Sequence, residues 1–295
     1  MRLTLLGTGT PSPSLKRASS GYLIEVGGDV IVMDHGAGAH HRLIESGRKA
    51  TDVTHVFFSH LHSDHCLDYP RLVLQRWDIG ADRIPDLKVY GPPPLKRMTD
   101  LLFSRDGAFA ADINARIEHP GSIDMLVARG GTPPRKWPLP QVTELKAKDV
   151  VEGGRWRVTV ANASHMQPQL TCFGYRLDSA EGSICYSGDS GGVCRDIIDL
   201  ARGTNVLIHM THFRSGTEPS AAYRACAGSH LDVAQVAREA GVPTLVLSHM
   251  MDQIDQPGIR EEILREMMAI FPGTIIWGED LMEIPIGKPS MARFD

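Results

Sequence analysis

The sequence predicts an α+β protein in which two β-sheets face each other and helices cover both outer surfaces, a four-layer αββα sandwich. Three observations support this prediction. The chain opens with short apolar segments separated by glycine turns, which is typical of a β-meander, and a second meander begins at Trp156. After each meander, strand and helix patterns alternate. Two β-rich halves that both continue into helices bury most apolar surface when their sheets stack and helices cover the outside.

The first half provides the elements of one sheet. A turn at Gly27-Gly28-Asp29 joins two of its strands, and Gly91-Pro92-Pro93-Pro94 precedes a helix. The expected strands are 3–6, 22–26, 30–33, 53–58 and 88–90, and the expected helices are 40–47, 67–77 and the segment with Met98, Leu101 and Leu102.

Residues 104–155 interrupt this order, since proline, glycine and isolated charges weaken every pattern there. We expect this segment to be a less regular excursion that forms a lid or a dimer contact. The remaining chain again predicts strands at 156–161, 172–177, 183–187, 205–210, 244–248 and 274–277, with helices at 193–202, 231–240 and 259–271. The whole chain, 1–295, is expected to form one domain.

Composition limits the classes of function. Apolar residues make up 42% and charged residues 22%, which fits a globular protein with a sizeable core. The formal net charge is −4 and no long lysine or arginine run is present, so nucleic acid is an unlikely partner by this criterion. We expect a cytoplasmic location. The apolar run at the N-terminus is too short for a signal peptide, and no stretch is long enough to span a membrane. The five scattered cysteines suggest reduced thiols.

The clearest functional motif follows the expected strand 53–58. His60, His62, Asp64 and His65 are four potential metal ligands within six residues. Imidazole and carboxylate groups suit zinc, manganese or iron, and the lack of cysteine in the set favours a catalytic site over a structural one. Because His60 and His62 point one way while Asp64 and His65 turn toward a neighbouring position, one motif can serve two metal ions.

Three further ligand candidates also stand where an expected strand runs into a loop. They are His165, Asp189 in Tyr186-Ser187-Gly188-Asp189, and His249 after Leu245-Val246-Leu247-Ser248. Each alone would more often be an ordinary surface or core residue. Together with the first motif they predict a metal centre of seven ligands.

This pattern resembles the metallo-β-lactamase superfamily, and within it the ribonuclease Z-like branch with its phosphodiesterase and arylsulfatase relatives. The resemblance covers nearly the whole chain. It rests on Leu6-Gly7-Thr8-Gly9-Thr10, Met33-Asp34-His35-Gly36-Ala37-Gly38, the His60 to His65 motif, Tyr90-Gly91-Pro92-Pro93, Ser187-Gly188-Asp189, and His230 ahead of the strand that leads to His249.

The resemblance implies a binuclear zinc hydrolase, with manganese or iron as other metals to consider. It assigns His60, His62 and His165 to one ion, Asp64, His65 and His249 to the other, and Asp189 to both. Two ions about 3.5–4 Å apart can share a hydroxide that attacks the substrate, and Asp64 could orient or deprotonate it. The resemblance also implies a possible homodimer.

Several residues depart from the family pattern or flank the expected centre. Ribonuclease Z sequences carry His-Glu-Ala-Thr where this chain has His209-Met210-Thr211-His212, so the carboxylate that supports a catalytic histidine is missing. That histidine corresponds to His230, which is expected to donate a hydrogen bond to a leaving oxygen, with His212 sharing its task. Three further candidates for substrate binding or ligand support are Asp34, which either bonds a ligand imidazole or caps a turn, His35 and Asn162.

These departures and the negative charge favour a small-molecule substrate such as a phosphodiester, aryl sulfate, lactone or activated aromatic. An apolar pocket above the metals is expected from Trp77, Trp137, Trp156 and Phe213. Three alternatives stay open: a ribonuclease Z-type endonuclease that processes transfer-RNA 3′ ends, an iron-dependent oxidoreductase of the same fold, and a scaffold with an inactive site. His62 argues against the di-iron flavin-linked relatives, which typically have glutamate there.

Overall fold

The computed structural model describes residues 1–286 and contains two seven-stranded mixed sheets. The strands are β1 (Arg2–Gly7), β2 (Gly21–Val26), β3 (Asp29–His35), β4 (His55–Phe57), β5 (Lys88–Gly91), β6 (Gln141–Glu144), β7 (Val150–Glu152), β8 (Trp156–Asn162), β9 (Phe173–Ser179), β10 (Gly182–Tyr186), β11 (Val206–Met210), β12 (Thr244–Ser248), β13 (Thr274–Trp277) and β14 (Glu283–Ile284). The helices are α1 (Ala39–Glu45), α2 (Ser63–Cys66), α3 (Tyr69–Gly80), α4 (Leu95–Phe103), α5 (Ala110–Glu118), α6 (Pro120–Ala128), α7 (Arg195–Ala201), α8 (Ala221–Cys226), α9 (His230–Ala240) and α10 (Ile259–Met268), with a 3₁₀ turn at Ala50–Asp52.

The two sheets have the same internal plan. The first has the order β14-β1-β2-β3-β4-β5-β6 and the second β13-β12-β11-β10-β9-β8-β7. In the first sheet β1, β2 and β3 are antiparallel, while β3 to β6 are parallel. In the second sheet β7 to β10 are antiparallel, while β10 to β13 are parallel. The parallel strands of each sheet therefore end at a common edge.

Alternating side chains explain why the sheets stack. In β3, Ile31 and Met33 point into the core between the sheets, whereas Val30 and Val32 point toward the helices outside. This period of two is what a strand buried on both faces requires. A third apolar cluster lies outside the second sheet against α7, α9 and α10. The result is four layers, so the predicted αββα sandwich is confirmed.

The segment 104–155 is more regular than the sequence analysis expected. It contains α5 and α6, and its strands β6 and β7 complete the edges of the two sheets. The short strands lack an alternating apolar pattern because their side chains are largely exposed. The segment therefore contributes two helices and two edge strands joined by irregular stretches, and its role as a lid or dimer contact stays a prediction.

Two further observations concern the cysteines and the helices. All five cysteines are free thiols. Among residues 1–286, no helix has the length and apolar composition required to cross a membrane.

Candidate metal centre

The candidate metal centre lies where strands of both sheets end. Its ligand candidates follow β4, β8, β10 and β12, and all of these strands have their carboxyl ends at the same edge of the molecule. Polar side chains that follow strand ends converge at such an edge, which is a common place for sites in α/β proteins.

The structure brings the seven predicted ligands together in two groups. The ligand atoms within each group lie within 4.8 Å of one another; the groups are His60, His62, His165 and Asp189, and Asp64, His65 and His249. His62 and His165 are half-buried and the other five are buried. No cluster member comes from the segment 104–155.

One carboxylate oxygen joins the two groups. Oδ2 of Asp189 lies 3.9 Å from Nε2 of His60 and 3.7 Å from Nε2 of His165. The same oxygen lies 3.5 Å from Nε2 of His65 and 3.3 Å from Nε2 of His249. Ligand atoms about 2.0–2.1 Å from a tetrahedral ion are separated by about 3.3 Å, so these spacings fit a carboxylate shared by two metal ions.

In three of the ligand histidines, the ring nitrogen that faces away from the centre forms a hydrogen bond. Nδ1 of His65 bonds Oδ2 of Asp34 at 2.8 Å, and Nδ1 of His60 bonds Oγ of Ser59 at 3.0 Å. Nδ1 of His165 bonds the carbonyl oxygen of Cys226. Each of these contacts turns Nε2 inward and fixes the tautomer that can donate a lone pair to a metal ion.

His62 is oriented differently from the other imidazoles. Its Nδ1, rather than its Nε2, faces the group, 3.0 Å from Nε2 of His60 and 3.3 Å from Nε2 of His165. The three nitrogens lie so close together that hydrogen atoms cannot be placed on all of them where they face one another. They match the spacing of ligands around one ion.

Asp34 connects residues of the centre through four hydrogen bonds. Its carboxylate accepts hydrogen bonds from the backbone N–H and the Oγ of Ser59, from His65 and from the hydroxyl of Tyr186. It is fully buried, and its φ of 56° lies in the left-handed region. His249 has a φ of 55°, so two non-glycine residues of the centre occupy a backbone conformation that costs about 1–3 kcal/mol each. Surrounding contacts must hold both in place.

Gly36 lies where the backbone packs too closely for any side chain. A Cβ atom at Gly36 would lie 1.9 Å from the carbonyl oxygen of Asp64, so only glycine lets the loop after β3 pass the ligand helix α2.

The charges of the centre favour a bound cation. Burial lowers the pKa of His60 well below its usual range, which keeps the ring neutral. Burial raises the pKa of Asp189, but His249 and His65 outweigh it and hold that pKa well below its usual range. Burial also lowers the pKa of His65, but the carboxylates of Asp189 and Asp34 raise it well above its usual range. A proton or a metal ion is therefore stabilised at the same position.

Two buried atoms of the centre have no hydrogen-bond partner in residues 1–286. They are Nε2 of His65 and Oδ1 of Asp189. A buried polar atom without a partner costs about 1–3 kcal/mol, so this pair also fits a group that supplies a positive charge. The donor chemistry, the spacing and the unpaired atoms all match two metal ions.

The remaining site candidates separate into those near the centre and those away from it. His212 is near: its Nδ1 lies 3.1 Å from Nδ1 of His249, and burial lowers its pKa to about 4. His35 faces away, into a fully buried pair with His40 at 3.1 Å, and burial lowers its pKa to about 3. Asn162 is exposed and bonds Asp196 at 3.4 Å, so it does not contact the ligands.

His230 has a carboxylate partner after all. Its Nε2 lies 2.7 Å from Oε2 of Glu266, and its Nδ1 accepts a hydrogen bond from the backbone N–H of Ser215. The expectation that the acidic partner is missing is therefore wrong, because α10 supplies it from a distant part of the chain. Both ring nitrogens are engaged, so a direct role in catalysis, which stays a prediction, requires His230 to exchange one partner.

The expected apolar pocket above the metals does not form from the four aromatic residues named for it. Trp156 lies in the core between the sheets, and Phe213 packs on Met210 and Tyr223. Trp77 and Trp137 line a cleft at α3 and α5. Both are half-buried where the helices pack on the first sheet, and sequence composition alone does not distinguish such positions from a pocket above the metals.

Four residues that support the ligands or His230 escaped the sequence analysis. Ser59 and Tyr186 were not singled out, although both directly adjoin recognised motifs. The carbonyl of Cys226 carries no sequence signal, because any residue has one. Glu266 is also without a signal, since only the packing of α10 brings it to His230.

The comparisons with known proteins agree with this geometry. A family model described as Beta-lactamase superfamily domain matches residues 29–250. The chain is 30% identical over 297 residues to Ribonuclease Z of Mycobacterium sp. (strain KMS), covering 97% of this chain and 96% of that protein. It is 28% identical over 331 residues to Ribonuclease Z of Methanothermobacter thermautotrophicus, covering 97% of both chains.

Solved structures show the same fold. The metallo-beta-lactamase fold protein YhfI from Bacillus subtilis superposes with a TM-score of 0.72 at 18% identity, covering 96% of this chain and 98% of that one. The short form of human tRNase Z gives a TM-score of 0.68 at 20% identity, covering 97% of this chain and all 100% of that one.

Proposed function

Because the chain belongs to the β-lactamase superfamily, on its ribonuclease Z-like branch, and is a metal-dependent hydrolase, we propose that it cleaves phosphodiester bonds at a binuclear zinc centre. One observation carries the proposal: Oδ2 of Asp189 lies 3.3–3.9 Å from Nε2 of four histidines drawn from both ligand groups. A phosphodiester has two oxygens that gain charge during displacement, and a paired site suits this requirement.

His60, His62 and His165 would hold one ion, Asp64, His65 and His249 the other, and Asp189 both. When bound, two such ions activate a water molecule and stabilise negative charge on the phosphoryl oxygens. Manganese or iron would satisfy the same ligands, so the metal must be identified by measurement.

Two side chains are proposed to act on the substrate directly. Asp64 lies with Oδ2 3.1 Å from Nε2 of His249, where its carboxylate would accept a hydrogen bond from the attacking water and orient it. His212 is held beside the same histidine and is neutral near pH 7, since its pKa is about 4. It would donate a hydrogen bond from Nε2 to the leaving oxygen rather than act as a cationic acid.

RNA is the first substrate to test. The support is the 30% identity to a ribonuclease that extends over 97% of this chain, which outweighs the negative net charge that made nucleic acid look unlikely from composition. We therefore propose a ribonuclease Z-type endonuclease acting at the 3′ end of transfer-RNA precursors.

A small phosphodiester, or a related ester such as an aryl sulfate or a lactone, is the second candidate. Met210, a buried side chain, stands where ribonuclease Z sequences have the glutamate of their His-Glu-Ala-Thr segment, and the formal charge is −4. Both features weaken the case for a large polyanionic substrate.

The experiment compares the purified protein on a transfer-RNA precursor and on bis(p-nitrophenyl) phosphate, with elemental analysis of the same sample. We expect about two zinc ions per chain, turnover that a chelator abolishes, and RNA cleavage that declines steeply with salt. Aryl phosphodiester turnover without RNA binding at low salt would select the second candidate. A protein with less than one metal ion per chain and chelator-insensitive turnover would overturn both.

The predicted homodimer and the role of segment 104–155 can be tested on the same sample. Sedimentation equilibrium gives the oligomeric state directly. A monomer at all concentrations would remove the predicted dimer contact.

A further inference from the structure

One buried arginine joins three loops at the edge of the molecule that carries the metal centre. The loops are 8–20, 249–258 and 278–282, which follow β1, β12 and β13. They lie at this edge because β1 runs in the same direction as β4, and β13 in the same direction as β12. The second loop begins with the ligand His249. A residue that fixes these loops relative to one another therefore acts on a metal ligand.

Arg17, in the first loop, contacts all three. Its side chain is 4% exposed. Its Nε and Nη2 donate to Oδ2 of Asp255 at 3.0 and 2.9 Å. Its Nη1 donates to Oγ1 of Thr8 and, at 2.7 Å, to the carbonyl oxygen of Gly278. A single planar guanidinium group therefore holds the three loops in one arrangement.

Two of these contacts lead to the chain on either side of His249. The residue that follows His249 donates its backbone N–H to the carbonyl oxygen of Thr8 at 3.0 Å. The backbone N–H of Gly278 donates to the carbonyl oxygen of Leu247, two positions before His249, also at 3.0 Å. Because Nη1 of Arg17 bonds both Thr8 and Gly278, it connects the two hydrogen bonds that flank the ligand.

His249 depends on such support more than the other ligand histidines do. Its φ of 55° lies in the left-handed region, where a non-glycine residue persists only when surrounding contacts hold it. Its Nδ1 faces Nδ1 of His212 at 3.1 Å, whereas the corresponding nitrogens of His60, His65 and His165 are bonded to oxygen atoms. The position of the His249 ring is therefore set mainly by its backbone.

The ligands of the other ion are supported elsewhere. His60 is bonded to Ser59, and His165 to the carbonyl oxygen of Cys226. Among residues 1–286, the side chain of Arg17 forms no hydrogen bond with either histidine or with the groups that support them. A change at Arg17 should therefore reach one metal position and not the other.

We propose that Arg17 is a positioning residue for the metal position formed by Asp64, His65 and His249. It holds the backbone around His249 so that this position binds its ion more tightly, and it leaves the position of His60, His62 and His165 unaffected. The inference rests on the binuclear centre proposed above. Since Arg17 is buried and contacts no ligand side chain, its effect is on metal affinity rather than on contact with the substrate.

The test measures the two stepwise zinc dissociation constants of the full chain by competition with a chromophoric chelator. His249→Ala identifies which constant belongs to the position in question, because it removes a ligand of that position alone. Arg17→Lys keeps the charge but cannot bond three partners from one planar group. We expect it to raise the same constant about tenfold and to change the other less than about twofold.

A second variant and a control separate positioning from general stability. Thr8→Val removes one contact of Arg17 and should raise the same constant about threefold, and it decides the question alone if Arg17→Lys does not fold. Arg42→Ala is the matched control. Arg42 pairs with Asp280 and Glu45 and, among residues 1–286, forms no hydrogen bond with residues 247–255, so both constants should equal those of the parent protein.

The results distinguish failure of this inference from failure of the binuclear centre. A parent protein that binds fewer than two ions would overturn the centre, and this inference with it, before any variant is compared. With two ions bound by the parent protein, the inference is overturned if Arg17→Lys leaves both constants unchanged or raises both equally, as a general loss of packing would. It is also overturned if Thr8→Val behaves like Arg42→Ala.

Discussion

The metal centre and the Arg135 cluster both contain buried polar atoms without protein partners among residues 1–286, but of opposite kinds. The Arg135 cluster consists of Asp78 and the arginines that pair with it, Arg116, Arg129 and Arg135. In the metal centre the unpaired atoms are Oδ1 of Asp189 and Nε2 of His65, in a setting of carboxylates and imidazoles. In the cluster they are N–H donors of Arg135, in a setting of guanidinium groups. The first arrangement stabilises a cation, whereas the second, with an Arg135 side chain that is 2% exposed, is closed to ligands and links α3 to the segment 104–155.

The two regions also differ in how firmly the unpaired atoms are held. Around the metal centre, ligand imidazoles are fixed from behind by Asp34, Ser59 and the carbonyl of Cys226. In the cluster, Arg135 depends on one carboxylate and one indole ring. Changes in the metal centre should therefore have larger effects than changes in the cluster, and the predictions below test this order.

Asp189→Asn should have the largest effect. The change removes the charge that both ligand groups share, so metal content should fall and kcat/KM should drop by more than about 100-fold, the upper effect of losing a supporting partner. Elemental analysis and turnover on an aryl phosphodiester provide the measurement. Asp196→Asn, an exposed aspartate, is the matched control and should behave like the parent protein. Normal metal content in Asp189→Asn would break the proposed difference between the two regions.

The metal centre could be predicted from the sequence because its ligands form a dense local motif and a few strand-end residues. His60, His62, Asp64 and His65 are four potential metal ligands within six residues, and such a dense group is rare outside metal sites. The fold was predictable for a similar reason, since residues that alternate between two apolar faces require a sheet buried on both sides.

The parts that could not be predicted depend on contacts between distant residues. Glu266 reaches His230 only because α10 packs beside α9, and Arg135 meets Trp77 across 58 positions of sequence. His35 follows Asp34 directly, yet its side chain points to the opposite side of β3, because neighbouring residues of a strand face opposite ways. Proximity in sequence to a site residue was therefore a poor guide to function.

Asp34→Asn should have the second largest effect. It weakens four hydrogen bonds, including the one that orients His65, and should reduce metal affinity by about 10–100-fold. A competition titration with a chromophoric chelator measures this. Tyr186→Phe removes only one of the four bonds and should have a clearly smaller effect. Equal losses in the two variants would show that Asp34 acts through packing rather than through His65.

Glu266→Gln tests the hydrogen bond between His230 and Glu266, which joins two residues that are distant in sequence. Glu266 pairs with His230 and with Arg214, on the loop that follows His212, so we expect kcat to fall about threefold to tenfold with unchanged metal content. Glu262 also pairs with Arg214 but has no contact with His230. Glu262→Gln is therefore the matched control, and equal rates in the two variants would assign the effect to the loop charge alone.

Asp78→Asn should have the smallest effect. It should lower the free energy of unfolding but leave the metal centre unchanged. Burial raises the pKa of Asp78, but hydrogen bonds from Arg129 and Arg135 outweigh it and lower that pKa below its usual value. A depressed carboxyl pKa stabilises the fold above the unfolded pKa of about 3.9, and this stabilisation is lost as pH falls through the folded value. Asp78→Asn should therefore cost about 1 kcal/mol of unfolding free energy near pH 7, and progressively less at lower pH.

The same substitution leaves three guanidinium groups without their shared carboxylate but alters no metal ligand, so the metal content should equal that of the parent protein. Urea unfolding of both proteins at pH 7 and pH 3.5 measures the change in stability, and the difference between them cancels other carboxylates that titrate in both. Elemental analysis measures the metal content. A stability difference that does not change with pH would mean that Asp78 contributes through packing, and a loss of metal would mean that the two regions are coupled.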